Sequence, residues 1–324
     1  MQRLVEVKKR MHTIHDIRNV ARTMATVASA KLSRTRGRAA GMRIYAERMR
    51  SIMRRQQAYL ATLGIPMQRI SPFFVPSTPN RMMLIHLAGD RGMCGNYNMA
   101  INHMAVDTIE QWREQGKQIV VECHGTKGDQ YLRRRGGDDI EILDPHTWPR
   151  NGVVDELVDE LHDAVTSAFL NGTIDEVWCT YTRFYTPLRR EPTLIRLLPI
   201  AFENAASSGG SAAIDPQTAD PHLQRFSYEP RFSSIVGDLV DAFVRIQCED
   251  VLLEAYASEQ GARMITMEEA TERAGKRLHE CHVLYNRLRR EFITTDLLSV
   301  LFASHVRKRE EDRARQKRAE KIPT

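Results

Sequence analysis

No proline occurs before Pro66 and none between Pro230 and Pro323, so both ends of this 324-residue chain lack the residue that most directly stops a helix. In the first stretch apolar residues fall at Leu4, Val7, Met11, Ile14, Ile17, Val20, Ala21, Met24, Val27, Ala28 and Leu32, steps of three and four that draw one helical stripe. Gly37 weakens such a helix by about 1 kcal/mol without ending it. The last stretch keeps near-heptad spacing through Ile235, Leu239, Phe243, Ile246, Leu253, Tyr256, Met264, Met267, Leu278, Tyr285, Leu288, Phe292, Leu298 and Leu301. At 1.5 Å per residue, helices over 3–60 and from 230 to 306 would measure about 85 and about 110 Å. Neither can bury its stripe alone, because a helix draws most of its stability from packing. The two are expected to pair as a long antiparallel coiled coil formed by the chain ends.

Between them the period changes. Arg81–Ala88, Ile119–Cys123, Val177–Thr182 and the alternating Thr193–Pro199 read as short strands, and helical patterns occupy 97–115, 126–134 and 152–170. Strands alternating with helices imply an α/β layer around a mainly parallel sheet. Residues 203–225 are rich in Ser, Ala, Gly and Pro and read as an exposed linker. The expected division is an N-terminal coiled-coil helix over 1–65, a central α/β domain over 66–202, a linker over 203–229, a C-terminal coiled-coil helix over 230–306 and a charged tail over 307–324.

Charge is unevenly placed. Residues 1–59 hold 15 Lys+Arg against 3 Asp+Glu, a surplus of 12, while the whole chain carries +6. A basic rod of this kind releases counterions from a polyanion, but its apolar stripe must be covered and only Tyr45 and Tyr59 offer rings for base stacking. An acidic protein surface is the better match. Five scattered cysteines with no C-x-x-C spacing suggest neither a disulfide framework nor a zinc knuckle. No apolar run approaches the 18 or so residues of a membrane span. The first twenty residues lack the apolar core of a secretory signal, so a chain resident in the cytosol is expected.

Candidate sites are few. Gly89-Asp90-Arg91-Gly92-Met93-Cys94-Gly95 follows the first strand and precedes a helix, where a doubly wound fold would cradle a phosphate. It lacks both G-x-G-x-x-G and G-x-x-x-x-G-K-[ST], which favours a turn that needs glycine. Cys94 beside Arg91 has the setting of an activated thiolate, but no histidine is placed as its base. His279 and His282 stand three apart on one helix without further ligands, and an exposed pair is the simpler reading.

Four segments resemble one family. Arg22-Thr23-Met24-Ala25-Thr26-Val27-Ala28-Ser29-Ala30-Lys31-Leu32 is similar to a K-A-M-x-M-V-A-x-x-K segment, Asp90-Arg91-Gly92-Met93-Cys94-Gly95-Asn96-Tyr97-Asn98 to a D-R-G-L-C-G-x-x-N signature, and Tyr228-Glu229-Pro230 to the Y-E-P that opens a final helix. Glu254-Ala255, Ala257-Ser258-Glu259-Gln260, Ala262-Arg263-Met264, Met267, Ala270-Thr271, Tyr285-Asn286-Arg287 and Ile293-Thr294 keep the family's order and spacing. Together these resemble the gamma subunit of F-type ATP synthases over about residues 1–306.

The resemblance implies a rotor. It predicts a Rossmann-like sheet domain as base, and a coiled coil standing in a ring of alpha and beta subunits. Ion flow through the membrane sector then drives the catalytic sites through their cycle by rotation. Implied partners are alpha, beta, epsilon and the membrane c-ring, with no nucleic acid, cofactor, metal or catalytic site of the chain's own, and with the complex on the cytoplasmic face of a bacterial plasma membrane. Carried over by motif, Met24, Lys31, Arg289, Arg290 and Thr294 are the torque-bearing contacts. Asp90, Arg91, Gly92, Cys94, Gly95, Glu259, Arg263, Met264, Tyr285 and Asn286 make up the signature. Arg290 stands where the family usually has glutamine, Thr26 where it has methionine, and residues continue past the usual apolar tip at Phe302-Ala303-Ser304. These departures point to a divergent or alternate ATPase, with sodium as well as protons open as the pumped ion. A nucleotide-using α/β enzyme, or a free coiled-coil scaffold or nucleic-acid binder, are the other classes this pattern allows.

Overall fold

Two long helices frame a five-stranded sheet in the computed structural model, which describes residues 2–62, 67–69, 71–75, 79–137, 139–200 and 232–319. In chain order they are α1 (Gln2–Thr62), β1 (Arg81–Leu87), α2 (Tyr97–Glu114), β2 (Gln118–His124), α3 (Thr126–Arg135), β3 (Glu141–Ile142), α4 (Asp155–Leu170), β4 (Glu176–Phe184), β5 (Arg190–Leu198) and α5 (Phe232–Ala319). The expected linker, the Y-E-P segment and the end of the tail beyond 319 lie outside the described residues. α5 continues past 306, through the alternating charges, to Ala319.

The chain divides into two compact units, one holding α1 up to Thr23 together with α5 from Glu268, the other running from Met24 to Met267.

In the larger unit the strand order is β3-β2-β1-β4-β5; β1 pairs in parallel with β2 and β4, β2 with β3, and only β5 is antiparallel, returning from β4 as a hairpin. The α/β layer with a mainly parallel sheet is therefore as the sequence predicts; the two-residue β3 is too short to leave a pattern. β1 shows the two-residue period of a strand buried on both faces. Met82 and Leu84 face Ala105, Ile109 and Trp112 of α2 and Leu132 of α3. Met83, Ile85 and Leu87 face Leu157, Val158 and Leu161 of α4. That second face also takes Ala46, Met49, Met53 and Leu60 of α1 and Val240 to Tyr256 of α5, so both long helices share the core of the sheet here. Consistent with cover on several sides, Val251, Leu252, Leu253, Ala255, Tyr256, Ala257 and Ser258 are all buried.

α1 and α5 are antiparallel in this unit: Arg38 pairs with Glu249, while the later Ala46–Met53 lies in the cluster with the earlier Val240–Ile246. The covered positions of α1 run Ala25, Ala28, Leu32, Thr35, Ala39, Met42, Ala46, Met49 and Met53, alternating steps of three and four without a break. That is a heptad seam.

In the smaller unit the covered positions of α1 are Leu4, Val7, Met11, Ile14, Arg18 and Ala21, and those of α5 are Thr271, Ala274, Leu278, Cys281, Tyr285 and Leu288, again in heptad steps. The Arg18 guanidinium lies against Gly275 of α5. Three residues of the expected stripe, Ile17, Val20 and Val27, prove exposed, at 55, 58 and 51%. The stripe was drawn at a helical 3.6-residue period, and the seam follows 3.5, which puts Arg18 rather than Ile17 against the partner.

At the centre of the sheet His86 is fully buried, its Nδ1 2.9 Å from Thr180 Oγ1 and its Nε2 2.9 Å from Asn102 Oδ1. Burial, helped by the nearby His124 and opposed by the Asn102 hydrogen bond, pulls its pKa from 6.5 to about 4. The unfolded chain therefore binds this proton first: the stability tied to neutral His86 is complete above pH 6.5 and is lost as pH falls toward 4, by about 3 kcal/mol. In a His86→Gln chain, the fall in unfolding free energy across that window should be shallower by about this amount. Parallel pH profiles for the two chains would remove the assignment.

Candidate functional site

The segment between β1 and α2 is a joint rather than a cradle. Asp90 takes two backbone N–H donors on its carboxylate, from Thr126 at 3.0 Å and Trp148 at 2.8 Å. The Thr126 hydroxyl donates to the Asp90 carbonyl at 2.9 Å. The Gly89 N–H is spent on Asn98 Oδ1 at 2.9 Å. The amides of Gly89, Thr126 and Trp148 are thus held by resident side chains, and a carboxylate side chain occupies the space between the last two. Gly95 has φ +60°, which fits the expected turn, whereas Gly92 has open space around it and no such backbone demand.

The same joint reaches α5. A side chain at position 89 would meet Asn98 Oδ1 and Glu259 Oε1 at 3.0 Å, and one at 95 would meet Thr266 Oγ1 at 3.0 Å. The Tyr97 hydroxyl donates to the Ala255 carbonyl at 3.1 Å, and the Ser258 hydroxyl to that of Thr182 at 2.7 Å. Behind Gly89, Glu259 and Arg263 form an ion pair one helical turn apart, both largely buried. Burial pushes the Glu259 carboxyl up from its ordinary value against the pull of Arg263. Met264 is half-buried beside them.

Cys94 is buried with Tyr97 and Ala262. Burial, with the Glu259 charge, pushes its thiol up, the reverse of what a thiolate nucleophile needs. Arg91 is exposed. His279 and His282 are exposed on α5, and among the described residues no group of three or more His, Cys, Asp or Glu side chains is arranged to hold a metal.

Of the residues read as torque contacts, Met24 is half-buried and Lys31 donates to the Arg150 carbonyl at 3.1 Å, both within the larger unit. Arg289, Arg290 and Thr294 lie in the smaller unit on exposed turns of α5; Arg290 Nε donates to Asn286 O at 3.4 Å and Thr294 Oγ1 to Arg290 O at 3.0 Å. Tyr285 occupies the seam, while Asn286 is exposed.

Past Leu288 the seam ends and every position of α5 through Arg309 is exposed. Ile293, Leu297, Leu298, Val300, Leu301, Phe302 and Val306 show 46 to 70% of their surface. The near-heptad spacing predicts Phe292, Leu298 and Leu301 on the covered side, and all three are exposed. So much apolar surface on one helix makes this stretch a candidate interaction face.

Sequence reasoning missed the loop from Trp148 to Asp155. Trp148 Nε1 donates to the Ala88 carbonyl at 2.6 Å, and its ring lies 5.7 Å from that of Tyr256. Gly152, at φ +95°, sits against the Tyr256 ring. Arg38 donates to Val153, Asp155 and Glu249. The glycine at 152 is the signal the sequence offers, but only coordinates reveal what approaches it.

Comparisons with known proteins agree with one another. The ATP synthase family profile matches residues 3–303. The ATP synthase gamma chain of Paracoccus denitrificans is 30% identical over 304 residues, 93% of this chain and 98% of the relative. That of Legionella pneumophila strain Corby is 27% identical over 301 residues, 91% and 96%. Among solved structures, a chain of the Euglena gracilis mitochondrial ATP synthase with OSCP, F1 and c-ring superposes with TM-score 0.57 at 13% identity, covering 100% of this chain and 97% of that one. A chain of the Tetrahymena thermophila mitochondrial ATP synthase central stalk and c-ring gives 0.52 at 17% identity, covering 78% and 99%.

Proposed function

The chain belongs to the gamma-chain family of ATP synthases and is the central-stalk rotor subunit of an F-type complex; from that premise we propose which of its surfaces meet the other subunits. The bare apolar turns of α5 beyond Leu288, with the exposed Arg289, Arg290 and Thr294 at their start, form the bearing inside the ring of alpha and beta subunits. Met24, on α1 in the larger unit, makes a contact of its own. The sheet domain meets epsilon and the membrane c-ring. The complex sits on the cytoplasmic face of a bacterial plasma membrane, and this chain takes part without a catalytic site of its own. Among the described residues no helix is long and apolar enough to cross a membrane.

The observation that carries this reading is the end of the seam. α5 keeps its partner only to Leu288 and then presents apolar side chains that none of the described residues covers. A helix with one charged belt below such a surface suits a sleeve that must hold it in one orientation and release it in the next. The Asp90 carboxylate, held at the mouth of this loop by Thr126 and Trp148, disfavours an anionic ligand there and so speaks against the nucleotide-enzyme alternative.

The test is the assembled complex. Arg289→Ala combined with Arg290→Ala should leave assembly intact and lower ATP-driven ion pumping several-fold relative to hydrolysis. Pumping equal to the parent per ATP would refute the contact assignment.

A further inference from the structure

The rotor reading says that the chain turns; it does not say which contacts make the sheet and the two helices turn together. Within the larger unit one side chain of α1 grips both α5 and the loop and helix start that lie against the sheet. Arg38 projects from α1, and three of its nitrogens each find an acceptor on a different element. Nε donates to Glu249 Oε1 of α5 at 2.8 Å, Nη1 to the Val153 carbonyl at 3.0 Å, and Nη2 to Asp155 Oδ1 at the start of α4 at 2.5 Å. Glu249 has only 5% of its side chain exposed and also sees Arg245, which pairs with Asp159 of α4 at 2.8 Å. Seven residues earlier on α1, Lys31 holds the Arg150 carbonyl. The loop between these two grips is the one whose Gly152 packs on Tyr256 of α5 and whose Trp148 is bound to Ala88 and Asp90 at the end of β1.

We propose that Arg38 is a positioning residue for energy coupling: it keys α1 to α5 and, through the 148–155 loop, to the sheet, so that torque passes between base and helices without slip. Apolar contacts resist separation, but they are non-directional and let helices slide by small shear. A planar guanidinium holding three acceptors in fixed directions resists that sliding. The charge alone is insufficient; Lys has no planar fork and holds such acceptors as a point charge.

The experiment uses the complete complex in vesicles, reading ions pumped per ATP hydrolysed, together with the torsional stiffness of single complexes. Arg38→Ala should retain hydrolysis within about twofold, lower the pumped-ion ratio several-fold and soften the rotor. Arg38→Lys should recover the amount of complex but only part of the ratio. A merely structural role would lower the quantity of complex while leaving ratio and stiffness at the parent value in what assembles, and that result overturns the proposal. If Arg38→Ala does not assemble, the Arg38→Lys complex carries the same test: parent ratio and stiffness there overturn it too. The proposal rests on the rotor reading, and the parent complex separates the two. A parent chain that supports no pumping refutes the rotor, whereas a coupled parent with an equally coupled Arg38→Ala refutes only the key.

Discussion

An Arg263→Leu chain is expected to lose about 3 to 5 kcal/mol of unfolding free energy at pH 7. The substitution removes the partner of Glu259, which is 5% exposed and wedged behind Gly89. Burial already pushes that carboxyl up, and without the guanidinium it would take up a proton closer to neutrality. The deficit should therefore shrink as pH is lowered. Replacing both members, Glu259→Leu with Arg263→Leu, should recover most of the loss, because a buried pair gains little net over apolar side chains of similar volume. Urea denaturation of the three chains decides the matter. A single variant within about 1 kcal/mol of the parent, or a double variant no better than the single, would show that the pair is not the keystone of this joint.

Gly125→Ala should be comparably severe for a different reason. Gly125 has φ +107°, and a Cβ there would stand 2.2 Å from the Ala88 carbonyl oxygen. Neither side can yield cheaply: the Ala88 N–H bonds to His124 O at 2.8 Å, its carbonyl accepts from Trp148, and the Gly125 N–H bonds to His146 O at 2.8 Å. Backbone strain and overpacking together put the loss at about 3 to 5 kcal/mol. Thermal unfolding should come roughly 10 °C lower for a unit of this size. A melting point within 2 °C or so of the parent would mean that the turn opens without cost.

Much of the fold was legible because its signals are local. The absence of proline gave both long helices, and the apolar runs around Leu84, Val121 and Val177 gave the three central strands to within about two residues. Ile17, Val20 and Val27 were misplaced because a 3.5-residue seam and a 3.6-residue stripe drift apart over several turns. Polar side chains at Arg18 and Thr35 hide the seam further. The signature residues were identifiable from motifs, but motifs do not say why Asp90 is needed; its partners Thr126 and Trp148 are 36 and 58 residues away. Arg38 was invisible for the same reason, since its contacts lie 115, 117 and 211 residues along the chain. Nothing in the local pattern separates it from Arg34 or Arg36.

The uncovered end of α5 also bears on how the protein must be made. Seven large apolar side chains between Ile293 and Val306 lie open on one helix, a surface that promotes self-association when nothing encloses it. A copy left without a partner for this face is prone to clump. If the end of α5 is the bearing proposed above, the polypeptide must be produced in numbers matched to whatever encloses it.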